Sequence, residues 1–303
     1  MKTGFKGFTT IIRVLVILSL LSPLADNVHA QGTMMMSNED FGVKMTIFAD
    51  NYAYEYSFLD DERMRILYDC TLSFKEKGKD PLKAEYILQI GKATSKFYSH
   101  IQHQCDSMLV NGNGKEYLTP RYRLYQEANF LFVQDCFYKD LRSNDLTFTG
   151  RLVAEDYEYT ETLPAITWKM LEGSKTICGY TCHKAEGYFR GRTYEVWFTE
   201  EIPSSAGPWK LSGLPGAILS ASDFSGECSF IAEKVLQGNG KIFKAQYPYI
   251  KIARKQYTKM QQQYLELRAA FSSQHTSRTG IRIIQTEKQK PLPAVIELEK
   301  DPS

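Results

Sequence analysis

The sequence predicts a mainly β protein: an antiparallel sheet of half-barrel or sandwich type, with one C-terminal α-helix. Three observations lead there. Aromatic and apolar residues alternate with polar ones in one segment after another, the period of two expected of half-buried strands. Clusters of Gly, Asn and Pro separate these segments, as turns between neighbouring strands do. Near the C-terminal end the apolar period lengthens to that of a helix.

The first thirty residues stand apart. Lys2, Lys6 and Arg13 give a positive start, and an apolar run from Val14 to Leu21 follows with only Ser19 polar. Pro23 breaks the segment, and Val28-His29-Ala30 ends it on small residues at the two positions a signal peptidase reads. This is the order of a secretory signal peptide, cleaved after Ala30 to leave Gln31 first. The run is shorter than the roughly 20 apolar residues that a spanning helix needs. No Cys lies near the cut to take a lipid, and no second spanning run follows. The mature chain is therefore expected in the periplasm or secreted, with no transmembrane anchor.

Strand patterns begin at Val43–Phe58, where Tyr52, Tyr54, Tyr56 and Phe58 alternate with other residues. Met64 to Phe74 places Ile66, Tyr68, Cys70, Leu72 and Phe74 on one face. Glu85–Ile90 and Lys96–Ser99 continue the pattern, and Asn111-Gly112-Asn113-Gly114 is a strong turn signal. Arg121–Tyr138, Asp145–Leu152, Ala154–Thr160, Ile166–Leu171 with Trp168, and Tyr194–Phe198 with Trp197 read as further strands. Cys228–Leu236 and Lys241–Tyr247 flank Gly238-Asn239-Gly240 and are expected to form a hairpin. Ile252–Phe271 reads as a helix whose Met260, Tyr264, Leu267 and Phe271 share a face. The organisation expected is a signal peptide over 1–30, a β-rich domain over 31–250, a helix over 251–275 and a polar, Pro-containing tail over 276–303.

The formal net charge is +2, and the three Lys or Arg and the single Asp of residues 1–30 account for all of it. A neutral mature chain lacks the basic footprint that phosphate backbones require, so nucleic acid is not an expected partner. All six cysteines lie in the mature part: Cys70, Cys105, Cys136, Cys178, Cys182 and Cys228. An even count in an oxidising compartment makes each a disulfide candidate, among 15 possible connectivities for six Cys. Free buried thiols are the alternative.

Residues 175–235 are the most informative. Leu214-Pro215-Gly216 reads as a type II turn, with Pro fixing φ at the first central position and Gly taking positive φ at the next. Gly207-Pro208-Trp209 makes a second stiff corner, Ala217–Ala221 a strand, and Asp223–Gly226 a turn back.

The same stretch resembles the GLPGLI family of Bacteroidota envelope proteins. Gly213-Leu214-Pro215-Gly216-Ala217-Ile218 matches the motif that names the family, with Ala217 in place of its second Leu. Gly179-Tyr180-Thr181-Cys182-His183-Lys184-Ala185 resembles its Gly-Tyr-x-Cys-x-Lys-Ala segment. Gly191-Arg192, Trp197-Phe198-Thr199, Ile202-Pro203 and Gly207-Pro208-Trp209 follow in the family's order. Cys178 is an addition to the pattern. The resemblance implies an envelope role beside outer-membrane β-barrel receptors, and it brings no assigned catalytic residue.

Other candidate chemistry is thin. Cys178-Gly-Tyr-Thr-Cys182-His183 suggests haem attachment but has three residues between the cysteines, where that motif has two. In one extended strand the two sulfurs would lie about 13 Å apart, too far for a disulfide unless the chain turns at Gly179. His100, His103 and Cys105 lie close in sequence, yet no second cluster completes a metal set, and a solvated loop is the plainer reading. No H-E-x-x-H, Walker, G-x-S-x-G or Rossmann pattern occurs. No cofactor and no metal are expected.

The chain is thus expected to be non-enzymatic and to bind an envelope partner such as an outer-membrane β-barrel receptor. Trp209, with Leu214, Pro215 and Gly216, is the candidate recognition surface, and Arg190 and Arg192 are candidates for an acidic group. Two alternatives stand beside this reading: a carrier that holds an apolar ligand in a half-barrel, and an envelope enzyme of unknown class.

Overall fold

A computed structural model describes residues 35–39, 42–46, 55–73, 81–111, 134–152 and 155–273. The signal-peptide segment, most of 121–138 and the tail after 273 lie outside these residues. The chain divides into two compact units, Met1–Ala53 and Tyr54–Ser303. The first holds a hairpin of β1 (Met35–Glu39) and β2 (Gly42–Thr46), paired antiparallel from Met35↔Thr46 to Glu39↔Gly42.

The second unit is built on a twelve-stranded sheet. Its strands are β4 (Met64–Leu72), β5 (Leu82–Ile90), β6 (Thr94–Ser99), β7 (Cys136–Asp140), β8 (Asp145–Leu152), β9 (Glu155–Thr162), β10 (Trp168–Ile177), β11 (Tyr180–Phe189), β12 (Arg192–Thr199), β13 (Ala217–Asp223), β14 (Cys228–Gln237) and β16 (Ile250–Lys251). Their order across the sheet is β10-β11-β12-β13-β14-β4-β5-β6-β7-β8-β9-β16. Every pairing is antiparallel except β16 with β9. Most neighbours in space are neighbours in sequence. The exceptions are β16, which lies beside β9, and β4, which joins the early strands to the late ones through β14, with Cys70 opposite Phe230.

Alternation fixes which face is buried. Ile66, Tyr68, Cys70 and Leu72 all point to the core, as the period of two in the sequence requires. Tyr194, Val196 and Phe198 do the same on β12. The sheet curls strongly. Strands β9 and β11 stand nine positions apart in the order, which would separate them by roughly 40 Å in a flat sheet. Yet Arg190, at the β11–β12 turn, reaches Glu161 on β9 at 2.6 Å. The interior so enclosed is filled from within. Phe148, Tyr159 and Tyr257 pack together, Tyr86 stacks on Phe97 at 5.0 Å, and Trp209 meets Phe189 edge to face at 5.7 Å. Tyr68 donates its hydroxyl proton to the Ile218 carbonyl at 2.6 Å, so the polar end of this buried ring has a partner.

Two helices accompany the sheet among the described residues, α1 (His100–Asn111) and α2 (Arg254–Ser273). The second is the C-terminal helix that the spacing predicts, and Tyr257, Met260 and Tyr264 dock it. The first corrects the loop expected around His100 and His103. Ser99 accepts the Gln102 amide proton at 3.0 Å, and Ser99-x-x-Gln102 is a capping-box sequence.

The hairpin expected across Gly238-Asn239-Gly240 also needs correction. Strand β15 (Lys241–Gln246) leaves β14 and pairs instead with β3 (Glu55–Asp61), as a separate two-stranded ribbon. The Gly238 amide donates to the Arg63 carbonyl at 2.9 Å, and the Glu62 amide donates to the Gly240 carbonyl at 3.0 Å. A Cβ on Gly238 would sit 2.7 Å from Arg63 backbone carbon, so glycine here permits a close crossing rather than a tight turn.

Candidate functional site

The segment from Ile202 to Gly216 plugs the open side of the curled sheet. Trp209 and Leu214 are core side chains, 4% and 3% exposed, and do not lie on a recognition surface. Trp209 adopts φ 53°, a conformation that bulky residues rarely take. That backbone turn sends Lys210 inward, where its Nζ meets Glu161 at 2.7 Å and donates to the Tyr159 hydroxyl at 3.2 Å. Glu161 also receives Arg190 and, at 3.2 Å, Arg254 from the start of α2. One carboxylate therefore ties the plug, the β11–β12 turn and α2 to β9.

Lys139 on β7 holds the same plug from the other side. Its Nζ donates to the carbonyls of Lys210 and Leu211 at 3.3 and 3.4 Å. Burial, with Lys210 close by, pulls its pKa down to about 7. Burial pushes the Asp135 carboxyl well up, although the positive charge of Lys210 opposes this.

The Gly-Leu-Pro-Gly motif has a different logic from the type II turn expected of it. Gly213 takes positive φ, at 97°, and Gly216 does not. A Cβ on Gly216 would fall 1.9 Å from the Thr199 carbonyl oxygen, so this glycine exists for backbone contact. Arg192 is buried and paired internally, with Asp223 at 2.5 Å and Glu227 at 2.9 Å. Both candidate arginines thus hold acidic groups of this chain.

Cys178 and Gly179 form the two-residue turn between β10 and β11, at φ 51° and 87°, the signature of a type I′ hairpin. The chain therefore does turn at Gly179. All six cysteines are nevertheless free thiols in this structure, and Cys178 is the exposed one. Among the described residues no group of three or more His, Cys, Asp or Glu that could hold a metal ion converges, at His103 or elsewhere.

A cleft lies elsewhere, on the opposite face of β4–β6, between α1 and the β3–β15 ribbon. It has a volume of about 210 Å³, and its lining includes Tyr56, Tyr98, Phe243, Arg65, His103 and Asp106. Lys96, Gln89, Ser107, Gly240 and Lys241 complete it. A smaller recess adjoins it, lined by Gln102, Tyr138, Arg151, Asp156, Tyr247 and Tyr249 among others, and Asp106 faces both.

A continuous hydrogen-bond network fixes the polar groups of the cleft. Glu62 takes Nε and Nη2 of Arg65, both at 2.7 Å, and the Gln89 amide nitrogen at 3.1 Å. Gln89 therefore turns its oxygen to Tyr98, whose hydroxyl donates to it at 3.1 Å. That leaves the Tyr98 oxygen to accept a proton from His103 Nδ1 at 2.7 Å. Nε2 of His103 is then the unprotonated nitrogen, and Arg65 Nη1 stands 3.4 Å away. Burial, then the charges of Arg65 and Lys96, hold the His103 pKa at about 4, so the ring is neutral at pH 7. Lys96 sits 3.9 Å from the Tyr98 ring centre and pairs with Asp106 at 3.2 Å. The result is a set of rigid donors, acceptors and ring faces around one opening. Because it draws on residues 56 to 243, no local motif marks it.

The family model of the PNGase F-II N-terminal domain, described as N-glycanase peptide, N-terminal domain, matches residues 141–235. That span runs from the end of β7 through most of β14 and includes the plug. Solved structures of PNGF-II in space groups P21 and C2 are 16% and 17% identical to the chain, each with a TM-score of 0.45. Each alignment covers 67% of this chain and 34% or 33% of PNGF-II, so the chain spans about one third of the length of these relatives. No curated protein matches the chain. Among the described residues, no helix is long and apolar enough to cross a membrane.

Proposed function

We propose that the chain is an exported, non-catalytic recognition domain that binds a carbohydrate-bearing partner of the cell envelope through the cleft between α1 and β15. The observation that carries this is the lining of the cleft. Tyr56, Tyr98 and Phe243 offer ring faces, while Arg65, His103 and Asp106 offer planar polar groups held in place by partners behind them. A sugar ring has the complementary chemistry: C–H faces that lie on aromatic rings, and hydroxyls that bridge planar donors and acceptors. The groups are set before a ligand arrives, so little ordering cost remains on binding.

The similarity to a domain of N-glycanase proteins supports a glycan context. Its matched span covers β8–β13 and most of β14 with the plug, whereas the cleft is built from β3–β6, α1 and β15. The likeness to the GLPGLI family supports an envelope location beside outer-membrane receptors. An apolar cargo would need the interior of the curled sheet, and Trp209, Leu211, Leu214 and Tyr257 occupy it.

The test is saturation-transfer NMR on the purified chain with a panel of mono- and oligosaccharides. Transfer to ring C–H protons is expected, and it should be lost in a Tyr56→Ala/Phe243→Ala variant that keeps its melting temperature. Absence of transfer from every sugar, or equal transfer in the variant, would overturn the proposal.

A further inference from the structure

We infer that the inner end of the cleft is an oxyanion subsite, so that the sugar it takes carries a carboxylate or a sulfate. This rests on the recognition reading above and narrows its ligand class.

The charges facing the opening are unequal. Arg65, Lys96 and Lys241 line the cleft against one carboxylate, Asp106. Glu62, which neutralises part of Arg65, sits behind it: the Glu62 side chain is fully buried, and that of Arg65 is 24% exposed. Cation faces thus point into the cleft, and the balancing anion is withdrawn from it. A partly desolvated site strengthens any charge that enters.

The geometry of Arg65 points the same way. Glu62 takes Nε and Nη2, which leaves Nη1 turned to the cleft. Among the described residues it meets there the lone pair of His103 Nε2, at 3.4 Å, a long contact for an arginine. An oxyanion seated between Nη1 and Lys241 would give this donor a charge-assisted partner. His103 cannot compete for that place as a second cation while its ring is neutral. Lys96 stays engaged with Asp106 at 3.2 Å and contributes field more than a direct bond. Beside the subsite, Tyr56 and Phe243 meet edge to face at 6.2 Å and supply the wall for the ring that bears the anion.

The probes are glucuronate, glucose and inorganic sulfate, titrated into the full chain with the imidazole ¹⁵N signals of His103 as the local reporter. Glucuronate is expected to bind roughly tenfold or more tightly than glucose, the gain from one charge-assisted hydrogen bond, and also more tightly than sulfate. Lys241→Gln, an exposed substitution that leaves the core untouched, should cut that preference several-fold by weakening glucuronate binding more than glucose binding. Arg65→Lys should abolish the preference, and Lys241→Gln keeps the test valid if Arg65→Lys unfolds. Glucose binding as well as glucuronate would overturn this inference and leave the recognition proposal standing. Sulfate binding as well as glucuronate would overturn the assignment to an acidic sugar, by showing that the ring adds nothing and that the subsite takes a free oxyanion. If neither sugar binds, this inference falls, and the saccharide panel decides the recognition proposal.

Discussion

Replacing Gly216 with Ala tests how the Gly-Leu-Pro-Gly motif works. The added Cβ would stand 1.9 Å from the Thr199 oxygen, 2.4 Å from its carbonyl carbon and 2.8 Å from the Glu200 Cα. All three are backbone atoms, so no rotamer change relieves the clash. The start of β13 must move away from the end of β12 by about 1 Å or more, which breaks the packing of Ala217 and Ile218 in the core. Overpacking of this kind costs about 1–3 kcal/mol, and the rigid surroundings place this site at the upper end. Gly213→Ala is the control. Its Cβ would meet only Trp168 Nε1 at 3.7 Å, and its cost is the strain of φ 97°, about 1–2 kcal/mol. Urea unfolding of both variants gives the comparison, with the Gly216 variant losing more stability and melting about 6–12 °C lower than the parent. A Gly216→Ala protein as stable as Gly213→Ala, or more stable, would refute the close-contact account and restore the turn.

Three further outcomes follow from the buried groups. The His103 pKa lies at about 4 in the folded protein, below its ordinary value near 6.5, so the unfolded chain binds the extra proton between these values. Stability should therefore fall as pH drops from 7 to 5, by about 1–2 kcal/mol after allowance for partial exposure, and His103→Gln should flatten that slope in denaturant titrations. Lys139 is likewise depressed, to about 7; its unfolded form holds the proton to higher pH, so stability should rise by about 2 kcal/mol from pH 7 to 9, and Lys139→Met should remove the rise. Of the six thiols only Cys178 is exposed. Iodoacetamide should label it alone in the native protein, slowly because burial and the charge of Glu233 raise its pKa, and should label all six in denaturant.

Much of the architecture was legible in the residues. The alternation of Ile66, Tyr68, Cys70 and Leu72 marks strand and buried face together, and Met260 and Tyr264 mark the docked face of the last helix. These are local signals, carried by period alone. What escaped depends on distant partners. Gly238-Asn239-Gly240 looks like a hairpin turn, and only the backbone of Glu62 and Arg63, far away in sequence, diverts β15 to β3. Trp209 invited a surface reading because aromatic residues serve surfaces and cores alike, and its neighbour Phe189 decides which. The first helix was hidden by a weak apolar stripe, Ile101 and Cys105, although Ser99 and Gln102 carry a capping signal that sequence reasoning could have used. The cleft had no sequence signature: Arg65, Tyr98, His103 and Phe243 come from four separate elements.

We place the meeting of this protein with its ligand in the cleft between α1 and β15. Chemical-shift mapping of the purified chain with an oligosaccharide that gives saturation transfer tests it most directly. The largest shifts are expected on Tyr98, His103 and Phe243, with the plug over residues 202–216 unmoved. Shifts that cluster on the plug or on the β11–β12 turn, and leave His103 unchanged, would contradict it.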